Sequence, residues 1–157
     1  QYGVLGHGTD INSYIPVRVY ENDGYDGTNA VSVSCGLYHT GILLKSGKVL
    51  MFGDNYYGQL GNGVFDASSN IPVDVSFNAG YDGSNAVMVA CGQFHTALLL
   101  SSGKVVTFGY NGDGQLGNGT DGKTLEKAGK WTYECWKRFG RIEALAGISI
   151  KQFSVGC

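Results

Sequence analysis

The sequence predicts an all-β fold of small stacked sheets, and three observations carry that prediction. The 157 residues include 26 Gly, 10 Tyr and only 2 Pro, with 43% apolar and 15% charged residues, a usage that suits one globular unit of many short strands joined by glycine turns. The chain also repeats itself: shifted by 56 positions, residues 15–63 fall on residues 71–119 without a gap, and about two-thirds of the aligned letters are identical. A unit of that length buries its apolar faces only against its neighbours. Within each unit, finally, apolar residues recur at the two-residue period of strands.

In chain order, Gly3-Val4-Leu5-Gly6-His7-Gly8 is a blurred first copy of a loop that returns as "GQLGNG" at Gly58–Gly63 and at Gly114–Gly119. Closely spaced glycines permit left-handed backbone, the central Leu can anchor inward, and Gln and Asn can bond the turn's own backbone, so the loop is expected to be a compact connector between sheets. "IPVRV" at 15–19 is matched by "IPVDV" at 71–75. Val31, Val33 and Cys35 alternate with Ser32 and Ser34 and predict a strand with that apolar set turned inward. "HTGILLKSGKVLMFG" predicts two strands, 39–45 and 48–52, around a Ser46-Gly47 turn, and the second copy repeats the hairpin at 97–100 and 105–108 around Ser102-Gly103. Four apolar residues in a row, Ala97 to Leu100, leave no polar face and predict a strand covered on both sides.

These letters also carry a family resemblance. Val-Ala-Cys-Gly, His-Thr, Gly-Lys-Val and Phe-Gly-x-Asn-x-x-Gly-Gln-Leu-Gly-Asn-Gly, recurring in that order over residues 1 to 120, are similar to the regulator-of-chromosome-condensation repeat. The resemblance implies a β-propeller, usually of seven blades with four antiparallel strands each; periodicity alone implies only stacked sheets. On this reading residues 1–122 are about two four-stranded blades with partial blades, a piece of something longer whose uncovered faces the other blades would close. The unit departs from the family in its length, with "ENDGYDGTN" or "FNAGYDGSN" added before the first strand, residues expected to lengthen a surface loop.

After Gly119 the pattern breaks. Residues 1–122 hold four Lys or Arg against ten acids, a net −6, whereas 123–157 hold seven against three, a net +4. Leu125, Ala128, Trp131, Cys135, Phe139, Ile142 and Leu145 recur at helical spacing, and Gly129 and Gly140 leave two short helices or an irregular insertion equally open. We divide the chain into repeats at 1–122, a divergent basic and aromatic insertion at 123–149, and the start of a further repeat at 150–157, where Phe153, Val155 and Cys157 recover the alternation. Basic residues among Trp131, Tyr133, Trp136 and Phe139 are expected to form a solvated face on an inserted element; a grip on nucleic acid or an acidic partner, or an error in the reading frame or assembly, are the alternatives.

No residue stands out as catalytic. His39 and His95 recur once per unit, which suits a buried, bonded structural histidine better than an active site, and His7 occupies a turn position where the other copies have Asn62 and Asn118. Cys35, Cys91 and Cys157 occupy equivalent places and are expected to be small core residues, too far apart for disulfides, and no metal or redox cofactor is expected. Asp26-Gly27 and Asp82-Gly83 lack the further acids of a calcium loop and are expected to be turns. There is no phosphate-cradling Gly-Lys-Ser/Thr loop and no serine-nucleophile motif.

The expected function is that of a non-enzymatic protein-binding scaffold. Members of the resembled family imply the alternatives of guanine-nucleotide exchange or chromatin binding, with a small GTPase, a ubiquitin-pathway protein, or nucleic acid as partner; an extracellular adhesion or carbohydrate-binding propeller is the rival class. No membrane span is expected, and the cysteine usage favours an intracellular over an extracellular or cell-surface location. The candidate partner-binding residues are those that change between copies at turns: Tyr56, Tyr57 and Tyr110 as aromatic anchors, with Asp54 and Asp113 as polar neighbours.

Overall fold

The computed structural model describes residues 1–119, apart from 23, 77 and 78, together with the strand residues 140–141. Strands β1 (Ala30–Cys35), β2 (His39–Leu44), β3 (Val49–Gly53) and β4 (Ser69–Asp74) form one antiparallel sheet in sequential order. A second sheet repeats the order with β5 (Ala86–Cys91), β6 (His95–Leu100), β7 (Val105–Gly109) and the two-residue β8 (Gly140–Arg141). The register repeats too: His39 pairs with Gly53 and His95 with Gly109 across the two hairpins.

The sheets are out of phase with the letter repeat by one strand. Aligned by sequence, "IPVDV" opens the second unit, yet β4 hydrogen-bonds to β3 as the outer strand of the first sheet, with Leu50 opposite Asp74. Its Pro72, which has no N–H to donate, sits where an edge strand tolerates it. The near-identical Ile15-Pro16-Val17-Arg18-Val19 forms no strand, and among the described residues no sheet offers it an edge. In the second sheet the outer position falls to Gly140 and Arg141, opposite Thr107 and Val106. The helical spacing expected between Leu125 and Leu145, the basic and aromatic residues there, Cys135, and the alternation at 153–157 otherwise lie outside the described residues.

Both faces of the central strands are covered, as the unbroken apolar runs require. Leu43, Val49 and Met51 on one face of the first sheet pack with Val89, Cys91, Leu98, Leu100, Val106 and Phe108 of the second to make the main core. The opposite face, Ile42, Leu44, Leu50 and Phe52, forms a smaller cluster against Val19 and Tyr25. Those four residues are the repeat equivalents of Leu98, Leu100, Val106 and Phe108. The smaller cluster is thus half of the interface that the main core completes.

Two expectations about that core need correction. In both copies the register slips by one residue, between Ala30 and Ser32 and between Ala86 and Met88, so Val31 and Val87 bulge outward and the inward set becomes Ala86, Val89 and Cys91. Val33 and Cys35, expected inside, are exposed, because no described sheet covers that face of β1: Val33 is 64% exposed where Val89 is 4%. The inserted loop is also more than surface. Its Tyr81 is buried between the sheets, its hydroxyl oxygen accepting the Val49 N–H at 2.8 Å, and burial pushes its pKa up to about 12.

Candidate functional site

The turns at 36–38 and 54–57, with their equivalents at 92–94 and 110–113, emerge at one end of the sheets. The β1–β2 turn (residues 36–38) lies beside the segment leaving β3, since the Asp54 N–H donates to the Tyr38 carbonyl at 2.7 Å; Tyr110 and Phe94 repeat that bond at 2.9 Å in the second sheet. The two β hairpins, with Lys45, Lys48 and Lys104, lie at the opposite end. The rim so defined is what the strands position.

Both "GQLGNG" loops are braced internally, and the one at 58–63, like the blurred copy at 3–8, clasps the sheet that follows it. The Asn55 Oδ1 accepts the Leu60 N–H and the Asn111 Oδ1 the Leu116 N–H, both at 3.0 Å, while Gln59 and Gln115 accept the N–H groups of Tyr57 and Asp113 at 2.9 Å. Leu60 is fully buried, as the anchor role requires. The loop's backbone then meets the following sheet: the Thr96 hydroxyl donates to the Gln59 carbonyl at 2.9 Å, as Thr40 donates to Val4 at 3.2 Å, and Gly61 lies against the Phe108 ring as Gly6 lies against Phe52.

His39 belongs to this clasp. It is 1% exposed, and its Nε2 is 2.9 Å from the Thr96 Oγ1. Since that hydroxyl donates to Gln59, it accepts from His39, which fixes the imidazole as the neutral Nε2–H tautomer. Nδ1, left as the ring's unprotonated acceptor, is then buried with no donor, and burial, followed by the neighbouring His95, lowers the pKa to about 4. The buried, bonded histidine expected of both copies is realised at His39; His95 is half-buried, with burial lowering its pKa, because no described sheet covers its side. Cys91 is a buried free thiol pushed up to about 12 by burial, which makes it unreactive. Asp26 and Asp82 each accept from the N–H and hydroxyl two residues on, so both are turn carboxylates.

The structure brings the three candidate tyrosines together. Ring centroids of Tyr57 and Tyr110 are 4.9 Å apart, as are those of Tyr56 and Tyr57, in edge-to-face geometry. Sequence reasoning missed how far this extends: Tyr57 contacts Phe94 at 5.3 Å, Phe94 reaches Tyr38 at 6.0 Å, Tyr38 reaches Tyr2 at 5.5 Å, and Tyr56 meets Phe65 at 6.4 Å. The signal was the aromatic character kept at Tyr38 and Phe94 while Leu37 changed to Gln93. Tyr56 is 54% exposed and Tyr38 40%, so the row is open to a partner. Asp113 is exposed beside it. Asp54 is not: it is 8% exposed, accepting Gln59 Nε2 at 2.8 Å and the Tyr56 N–H at 3.3 Å, so it braces the loop from within. With Tyr56 and Tyr110 as neighbours, Asp54 adds to the burial that raises the Tyr57 pKa.

Stacked four-stranded sheets, each clasped by a loop from the one before, define a blade-repeat protein. The chain belongs to the regulator of chromosome condensation (RCC1) repeat family: a model of that repeat matches residues 1–43 and 46–99, and a second matches 30–59 and 87–115. It is 32% identical over 133 residues to human Protein RCC2, covering 85% of this chain and 24% of that protein, and 34% identical over 119 residues to human E3 ubiquitin-protein ligase HERC2, covering 76% of this chain and 2% of that protein. The chain thus spans a quarter or less of these relatives. Among solved structures, human WBSCR16 superposes with a TM-score of 0.59 at 22% identity, covering 77% of this chain and 30% of that one. Yeast RCC1 (Prp20), solved bound to Kap60, superposes at 0.58 with 16% identity, covering 82% of this chain and 28% of that one. These likenesses establish the fold: the two sheets are blades of a β-propeller.

Proposed function

We propose that the chain is part of a non-enzymatic propeller that binds a protein partner through the aromatic rim, with Tyr56, Tyr57 and Tyr110 as anchors, Asp113 at the edge, and Asp54 bracing the loop beneath. The observation that carries this reading is the continuous aromatic row lying over turns whose letters vary while the blade cores stay fixed. Exposed tyrosines on a rigid frame are the anchors that protein interfaces favour. The relatives support protein partners: the Prp20p structure is described with its binding to Gsp1p and histones, and HERC2 is a ubiquitin ligase. A small GTPase, a chromatin protein or a ubiquitin-pathway protein are the partner classes this suggests, and free thiols at Cys35 and Cys91 fit an intracellular setting. Among the described residues no helix is long and apolar enough to cross a membrane.

The test replaces Tyr56, Tyr57 and Tyr110 with Ala in the intact protein and measures affinity for a co-purifying partner. A loss of more than about tenfold is expected if these are hot-spot residues. Unchanged affinity in a still-folded propeller moves the site to another face.

A further inference from the structure

Carboxylates lie at both ends of the sheets, but the lysines among the described residues lie at one end only. Every described lysine lies at the hairpin end, where Lys48 pairs with Asp74 at 2.7 Å, and Arg18 aligns with Asp74 in the repeat. Among the described residues the opposite, aromatic rim carries no Lys or Arg side chain. It carries carboxylates: Asp66 follows Phe65 and is exposed, Asp113 lies in the loop of Tyr110, and Asp54 is buried under Tyr56 and Tyr57. The Asp54 carboxylate accepts from the neutral donors Gln59 Nε2, Tyr56 N–H and Ser68 Oγ at 2.8, 3.3 and 3.4 Å, and among the described residues no cation pairs with it.

An aromatic face above a fixed negative charge is a poor place for phosphate and a good one for a cation. The ring quadrupole presents electron density to whatever lies over the face, and a carboxylate beneath adds to that attraction. Aromatic rows also stack nucleic-acid bases, but such sites pair the rings with a basic groove for the backbone, and the described rim is acidic. The tyrosines pack against one another edge-to-face, which covers part of their ring faces and fixes the rest, so what stays open binds with little further ordering cost.

We propose that the aromatic rim docks a cationic segment of a protein partner, an arginine- or lysine-bearing peptide held over Tyr56, Tyr57 and Tyr110 by cation–π contact and by the exposed carboxylate of Asp66, with the buried Asp54 charge beneath. This rests on the rim being the binding face and adds the chemistry of what it takes. Arginine suits the row better than lysine, since its planar guanidinium stacks on a ring and remains charged.

The test uses the intact protein and a short Gly/Ser peptide carrying several arginines, with the same peptide carrying citrulline as the uncharged isostere. The arginine peptide is expected to bind more tightly than the citrulline peptide and to weaken as salt rises. Tyr56→Leu with Tyr110→Leu should cost about tenfold, the scale of a partly desolvated cation–π contact. Tyr56→Phe with Tyr110→Phe, which keep the ring faces, should retain the affinity, and Asp66→Asn should lose several-fold. Equal binding of the two peptides, equal loss in the Leu and Phe variants, or capture of a single-stranded oligonucleotide in preference to the arginine peptide would each overturn the proposal. If the alanine variants lose a protein partner while the arginine peptide never binds, the rim is the binding face and its cationic specificity is wrong. If neither changes, both readings fail.

Discussion

His39 is where one side chain ties two blades together, and its protonation state follows from its partners. Thr96 has one proton, which goes to Gln59, so the imidazole must be the donor and its Nδ1 has nowhere to place a second proton. A histidine whose pKa is near 6.5 unfolded and about 4 folded binds more protons in the unfolded state between those values. Stability from this group is therefore complete above about pH 6.5 and is lost as pH falls toward 4, by on the order of 3 kcal/mol. Denaturant titrations of the intact protein at neutral and mildly acidic pH should show that loss, and His39→Ala should flatten it while costing roughly 1–3 kcal/mol at neutral pH. His95→Ala, at a half-buried site, should cost less. A pH slope unchanged in His39→Ala would place the titrating group elsewhere. At this scale the sequence disclosed that the histidine is structural, because it repeats; it did not disclose which copy is fully enclosed, since that depends on the neighbour each blade has.

At the scale of the element, the connector loop is a clasp whose glycines have different work. Gly61 has φ +62° and a Cβ there would stand 2.6 Å from the Phe108 ring, whereas Gly114, at φ +78°, has nothing within 4 Å. Gly61→Ala therefore combines left-handed strain with a collision against a buried ring, and we expect a loss of roughly 2–4 kcal/mol, while Gly114→Ala pays only the backbone strain of about 1 kcal/mol. Equal losses measured by denaturant unfolding would mean that the loop does not press on the next blade as described. Strands and hairpins were legible to within a residue or so, because apolar alternation and a Ser-Gly turn are local signals. The bulges at Val31 and Val87 were not, since an extra residue leaves the letters alternating while the ladder slips. Nor was the fate of Ile15–Val19 against Ile71–Val75: nearly the same letters form a strand only where β3 offers an edge. Asp54 looked like a rim residue beside Tyr56, and only the position of Gln59 shows that it points inward.

At the scale of the whole molecule, the two blades act as internal controls for each other. Val33 and Val89 occupy the same place in the repeat, and one is 64% exposed where the other is 4%; Ala30 and Cys35 are exposed where Ala86 and Cys91 are buried. Among the described residues a sheet lies against β5 and none lies against β1 in the same way. Covering a valine to that degree stabilises by about 1 kcal/mol, and the small cluster around Ile42, Leu44, Leu50 and Phe52 packs against Val19, Tyr25 and the loop at Gly6 where its repeat equivalents meet a whole sheet. Two blades therefore lack roughly one interface's worth of burial, and residues 1–119 expressed alone should be β-rich by circular dichroism yet associate through the β1 face as concentration rises. Val33→Lys should suppress that association without disturbing the main core, because Val33 touches none of it. The same substitution in a longer chain carrying the preceding repeat should be strongly destabilising, since it would bury an unpaired ammonium where Val89 now packs. A monomeric two-blade chain that melts cooperatively above about 60 °C, the upper mesophile range, would mean that the uncovered face costs little and that the blades are self-sufficient.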